Sequence, residues 1–178
     1  MAESFSLNSL DIKLPKRKDN SHKGFYGRVA VIAGSKSMGG AGILASEASV
    51  FCGSGLVNLF THISNVQSSL DRNPEVMAIG IESHKDISGN FDIGLIGPGF
   101  KDDDWSKEVY RYITLNYSGV LIIDAGALRL LEKKQVYDKK ELILTPHPGE
   151  AGALLNISTD EIQQNREECA KAIANKYD

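Results

Sequence analysis

Apolar residues in this chain cluster into short, nearly continuous runs separated by longer mixed segments. The runs lie at residues 28–33, 56–60, 76–79, 91–96, 120–123 and 142–144. Short runs without strict alternation suit strands buried on both faces of a parallel sheet. Between the first two, residues 41–52 predict a helix of small residues, with Ile43, Leu44, Ala48 and Phe51 among its apolar positions. Gly53 and Gly55 end it, as glycine does at helix C-termini. Residues 65–72 predict a short helix, broken by Asn73-Pro74-Glu75, and residues 83–90 a loop. Asp102, Asp103 and Asp104 open a helix that carries Trp105, Val109, Tyr112 and Ile113, with their charge favourable at its N-terminal dipole end. Residues 127–134 predict a short helix with lysines in its last turn. Pro148 suits a first helical turn. Ser158 with Glu161 has capping-box spacing, before a final helix carrying Ile162, Cys169, Ala170 and Ile173 along one side.

The opening strand, glycine-rich loop, helix and strand read as a βαβ crossover. Continued alternation predicts an α/β layered domain with a mainly parallel central sheet flanked by helices. In such sheets ligands sit beyond the carboxyl ends of the strands. Here those ends lead into residues 34–40, 97–99, 124–126 and 145–149. Residues 1–21 form a polar N-terminal arm punctuated by Pro15, and residues 22–178 a single domain.

Composition narrows this picture. At 178 residues and 42% hydrophobic, the chain can bury one substantial core. A net charge of −3 gives no argument for nucleic acid or for an anionic membrane. The one basic cluster, from Lys13 to Lys18, reads as a solvated arm. Cys52 and Cys169 are far apart and lie on apolar helical positions, which fits buried free thiols better than a disulfide framework or a metal site. There is no apolar signal core at the N-terminus and no apolar run near the ~20 residues that span a bilayer, so a soluble cytoplasmic protein is expected.

The candidate chemistry lies in the glycine- and proline-rich turns. Gly34 and Gly39 have phosphate-loop spacing, but Gly40 replaces the lysine and Ala41 follows instead of Ser or Thr, so that motif is absent. Gly40-Ala-Gly-Ile-Leu-Ala45 matches a dinucleotide fingerprint only weakly, because no acidic residue ends the next strand. A helix N-terminus open to an anion and simple helix–sheet packing both remain possible there. Gly97-Pro98-Gly99 is a stiff turn with little side-chain bulk, through which a ligand could reach the backbone. Asp124 at a strand end could hold a metal, bind a hydroxyl or cap the next helix. His147, between Pro146 and Pro148, is a restrained histidine suited to orienting a substrate group. Glu150 lies in the following first turn, where its charge favours the helix dipole. The four histidines have no zinc-like spacing, and no Ser–His–Asp arrangement can be argued.

Taken together, these stretches resemble the ADP/ATP-dependent NAD(P)H-hydrate dehydratases of the ribokinase-like superfamily. The matching residues are His22-Lys-Gly24 with Gly27, Ala33-Gly-Ser35 through Gly40-Ala41, Gly53-Ser-Gly-Leu-Val57, Asn73-Pro-Glu-Val-Met77, Ile96-Gly-Pro-Gly99, Ile123-Asp-Ala125 and Thr145-Pro-His-Pro-Gly-Glu150, in the family's order. The resemblance implies a ribokinase-like layered fold and a hydro-lyase of metabolite repair. Its substrate would be hydrated NADH or NADPH, dehydrated at the expense of ADP or ATP with Mg²⁺. A phosphoryl group would pass to the ring hydroxyl, and phosphate would then leave. It places Ala41, Gly99 and His147 at the hydrated nicotinamide nucleotide, and Asp124 and Glu150 near phosphate-bound Mg²⁺. It also implies a homo-oligomer.

Two departures matter. Gly126 and Arg129 stand where the family often has Asp and Asn. The family also continues with a lysine- and glycine-rich nucleotide segment and a catalytic aspartate, beyond Asp178, so the fold is expected to be C-terminally incomplete and the chain to carry mainly the substrate-side half. The competing expectations are a non-catalytic nucleotide-binding or assembly module and another ribokinase-like small-molecule kinase.

Overall fold

The computed structural model describes residues 6, 9–10, 13, 16–131 and 139–177. Among these, six strands form one sheet: β1 (Arg28–Ile32), β2 (Leu56–His62), β3 (Met77–Ile81), β4 (Ile93–Ile96), β5 (Val120–Ile123) and β6 (Glu141–Leu144). Their order is β3-β2-β1-β4-β5-β6, and every pair is parallel. The helices are α1 (Gly39–Phe51), α2 (Val66–Arg72), α3 (Asp104–Asn116), α4 (Pro148–Leu155), α5 (Thr159–Gln164) and α6 (Arg166–Tyr177).

The continuous apolar runs pack as expected of a sheet covered on both faces. Ile32, Phe60, Ile96, Leu121 and Ile123 are almost fully buried in one cluster, and Val31, Ala33, Val57 and Leu59 in another. Burying each such larger side chain contributes about 1.5–3 kcal/mol before entropy is counted. The small residues of α1 have a specific reason. A Cβ on Gly42 would stand 3.1 Å from Leu59 Cδ1 and 3.2 Å from the Ala33 Cβ, so the helix lies close on the sheet. Glu47, buried on α1, accepts from Arg72 Nε at 2.9 Å and Nη2 at 3.2 Å, and this two-pronged pair ties α1 to α2.

Several expectations change. The final helix is two helices broken at Asn165, and Ala170 faces solvent while Ile162, Cys169, Ile173 and Tyr177 are buried. The Ser158 capping box forms at the head of α5, so Asn165 closes that short helix before α6 begins. Cys52 is exposed, because it caps the solvent end of α1 beside the exposed Phe51; Cys169 is buried. The loop at residues 83–90 holds a 3-10 turn, His84–Asp86, closed by a capping box from Ser83 and Asp86. The helix expected at 127–134 is a 3-10 turn, Ala125–Leu130, and its lysines lie outside the described residues. Arg17 of the basic cluster is docked rather than solvated: its Nη2 donates to Gly53 O at 2.9 Å and its guanidinium lies 4.2 Å from the Tyr26 ring centre.

Candidate functional site

Sheet order locates the site. The chain lays β2 and β3 outward from one side of β1, then returns to add β4, β5 and β6 on the other. The loops after β1 and β4 flank the topological switch point, the crevice region where parallel α/β sheets bind ligands. Ala41 and Gly99 meet there. A Cβ on Gly99 would lie 3.2 Å from the Ala41 Cβ and 2.6 Å from Met38 O. Gly99 has φ +71° and Gly97 φ +119°, and a Cβ on Gly97 would fall 1.9 Å from Asp124 O. Only glycine fits either position without rearrangement.

The crevice walls are fastened by backbone bonds. Gly34 N donates to Pro98 O at 2.9 Å and Ser35 N to Gly99 O at 3.0 Å. The fully buried Ser35 adds a bond from its Oγ to Gly99 O at 2.7 Å and accepts from Lys101 N at 3.2 Å. From the other side, Asn65 Nδ2 and Thr61 Oγ1 both donate to Gly34 O, at 2.8 and 2.9 Å. The sequence alone assigns no role to Ser35, which stands in a matching stretch, or to Thr61 and Asn65. The available signal was polar residues just past buried strands, where such groups must find partners. The N-cap of α1 is Met38, which offers no side-chain acceptor, so the first-turn N–H groups of α1 face the crevice region without a side-chain cap.

Asp124 and His147 sit further along the same edge, at the ends of β5 and β6. Asp124 occupies the N-cap position of its 3-10 turn, yet its side chain makes no capping bond. Instead Thr145 Oγ1 donates to Asp124 Oδ1 at 2.8 Å, joining the two strand ends. His147 is the N-cap of α4. Its Nδ1 accepts from Gly149 N at 3.1 Å and Glu150 N at 3.4 Å, while Glu150 Oε2 accepts from His147 N at 2.9 Å. With Nδ1 an acceptor, neutral His147 carries its proton on Nε2, which stands 3.3 Å from Glu150 Oε1. The side chain is 68% exposed. Its ring is thus held in one orientation by a reciprocal cap and by two prolines, with a basic lone pair already occupied. Such a ring suits contact and orientation better than proton abstraction.

The five expected residues therefore fall into three local pairings on one edge: Ala41 with Gly99, Asp124 with Thr145, and His147 with Glu150. With neighbouring strands about 4.8 Å apart, β4 and β6 are separated by about 10 Å. Ala41 and Gly99 thus stand roughly a small ligand's length from His147.

Residues 29–178 match the family model described as NAD(P)H-hydrate dehydratase. The chain belongs to the NAD(P)H-hydrate dehydratase family. It is 34% identical over 178 residues to the bifunctional NAD(P)H-hydrate repair enzyme Nnr of Escherichia coli, covering 98% of this chain and 34% of that one. It is 37% identical to the ADP-dependent (S)-NAD(P)H-hydrate dehydratase of Staphylococcus aureus, covering 91% of this chain and 61% of the relative. Among solved structures, a hypothetical protein of Streptococcus mutans superposes with a TM-score of 0.81 at 32% identity, over 91% of this chain and 60% of that chain. The ADP/ATP-dependent NAD(P)H-hydrate dehydratase of Bacillus subtilis, co-crystallised with ATP/Mg²⁺, superposes with a TM-score of 0.78 at 30% identity, over 92% and 60%. The chain thus spans about a third of the bifunctional relative and about 60% of the single-function ones. A ribokinase-like superfamily protein of Enterococcus faecalis shares the fold, with a TM-score of 0.79.

The residues at the β5–β6 edge fit Mg²⁺ in one limited way. Asp124 keeps one carboxylate oxygen clear of the Thr145 bond, whereas both Glu150 oxygens are turned on His147. Among the described residues no group of three His, Cys, Asp or Glu side chains could hold a metal by itself.

Proposed function

We propose that this chain recognises hydrated NADH or NADPH and serves its ADP- or ATP-dependent dehydration. The observation that carries the reading is the switch-point region, where Gly97 and Gly99 take positive φ and Gly99 packs against Ala41, on a chain of this family. The hydrated nicotinamide ring lies against the bare backbone of Gly99 and beside Ala41, and His147 orients the nucleotide from the far end of the edge. Phosphoryl transfer to the ring hydroxyl makes it a leaving group, and loss of phosphate with a ring proton restores the double bond. Asp124 is the residue that would hold a phosphate-bound Mg²⁺, and the ion would supply charge neutralisation on the phosphates when bound. Glu150 acts through His147, whose orientation it fixes.

Catalysis of this kind rests mostly on positioning and electrostatic stabilisation of the transferred group. Substrate recognition resides in these residues, and turnover draws on the additional length that the relatives possess. The test is to measure binding of NADH hydrate by this chain and, separately, ADP- or ATP-dependent recovery of NADH. Binding that is weakened in His147→Asn, without turnover, is the expected outcome. Absence of binding would sink the reading, and robust turnover by the chain alone would overturn its division of labour.

One observation favours a further assembly role. Leu44 and Phe51 on α1 are 64% and 78% exposed, and with Ala48 they form an outward apolar stripe. We assign this face to self-association into a homo-oligomer, checked by sedimentation of Phe51→Lys against the parent chain. No described helix is long and apolar enough to cross a membrane, and the reading is of a cytoplasmic enzyme.

A further inference from the structure

Beside His147 lies a cavity of about 410 Å³ that the crevice at Gly99 does not include. Its walls come from three elements: the 3-10 turn after β5, the head of α4 and the end of α6. Leu128 and Leu154 supply apolar surface, and Arg129 and Lys176 supply two cations. The volume lies within the range of small-ligand sites.

The two cations differ in how they are held. Lys176 is anchored: its Nζ donates to Leu154 O, and it lies 5.2 Å from the Tyr177 ring centre. Arg129 is exposed and makes no side-chain hydrogen bond or ion pair among the described residues. Its backbone is nonetheless firm, because Ala127 and Leu128 beside it are buried to within 1%. An unpaired guanidinium on a fixed turn presents a planar fork of donors, the geometry that matches phosphate oxygens two at a time. Two carboxylates are close by. Glu150 lines the same cavity but directs both oxygens at His147. Asp102 feels the Arg129 charge yet pairs with Lys107. Neither takes up the Arg129 fork.

We propose that this cavity is a phosphate subsite, with Arg129 as the bidentate anchor, Lys176 as the second positive charge and the apolar wall accommodating the adjoining sugar. It deepens the substrate reading above and rests on it for the identity of the ligand: the phosphate is carried by the dinucleotide whose nicotinamide end lies toward Gly99. Two phosphates of such a ligand share this chemistry, the bridging diphosphate common to NADH and NADPH and the phosphomonoester found only in NADPH.

The test titrates the 178-residue chain and its Arg129→Ala variant calorimetrically with inorganic pyrophosphate and with the hydrates of NADH and NADPH. The variant should fold as the parent does, since the Arg129 side chain makes no hydrogen bond or ion pair among the described residues, and circular dichroism checks this. Loss of a charged, two-pronged contact should weaken binding about tenfold or more. An equal loss for both dinucleotides assigns the diphosphate, and a loss confined to the NADPH hydrate assigns the phosphomonoester. Pyrophosphate binding that depends on Arg129, with no dinucleotide binding, would keep the subsite and sink the substrate reading. Dinucleotide binding identical in parent and variant would overturn the subsite and leave the substrate reading standing. A parent chain that binds none of the three would overturn both.

Discussion

The crevice between β1 and β4 and the outer edge at β5 and β6 share one side of the sheet but are built from different materials. The crevice is backbone: two left-handed glycines, carbonyls fastened by Ser35, Thr61 and Asn65, and helix N–H groups. The edge is side chain: Asp124 on Thr145, His147 on Glu150, and Arg129, which makes no side-chain hydrogen bond or ion pair among the described residues. A backbone surface cannot be altered without altering the fold that makes it. A side-chain surface can change its ligand preference while the sheet beneath stays intact. Arg129 and Gly126, the positions that depart from the family resemblance, both lie in the turn after β5.

This contrast breaks most readily at Gly97. Gly97→Ala places a Cβ against Asp124 O in a strained conformation and should cost about 4 kcal/mol or more, read as the shift of a urea unfolding midpoint. A variant folding as well as the parent would show that the backbone floor yields. Ser35→Ala removes the hydroxyl that joins the two crevice loops and leaves Lys101 N without that acceptor. A loss of about 1–2 kcal/mol is expected in the same measurement.

At the edge the effects should be smaller and separable. His147→Ala loses the α4 cap and should cost about 1 kcal/mol, whereas His147→Asn keeps a capping acceptor and should cost only a few tenths. Both variants should weaken substrate binding, and equal stability losses would show that the ring does not serve as the cap. The smallest effect concerns pH. The Ser158 hydroxyl, and then its backbone N–H, hold the Glu161 carboxyl below its usual range. A depressed folded-state value means that this cap stabilises α5 fully above the unfolded value of about 4.3 and is lost as pH falls through the folded one. Ser158→Ala should raise the midpoint of the Glu161 carboxyl towards its ordinary value in an NMR titration, leaving the crevice resonances unmoved.

Much of this was legible from the chain. Strand positions followed from unbroken apolar runs, because a strand covered on both faces has no polar side to display. The cap at Ser158 followed from spacing alone, since both partners lie within one turn. The reading failed where burial depended on distant neighbours. Cys52 looked internal among apolar residues, yet it ends a helix whose outer side nothing among the described residues covers. The last helix looked continuous, but it breaks at Asn165 into α5 and α6, both of which pack against α4.

The candidate site divides the same way. Local sequence determined the restrained His147, the glycine turn at 97–99 and the aspartate at a strand end, each through conformational limits of proline, glycine and capping residues. Only the tertiary structure decided that the chain reverses its strand order between β1 and β4, and so brings Ala41 to Gly99. Only it set Arg129 and Lys176 around one cavity beside His147. Such proximities join residues tens of positions apart. They arise from strand order and helix docking, which no local propensity encodes.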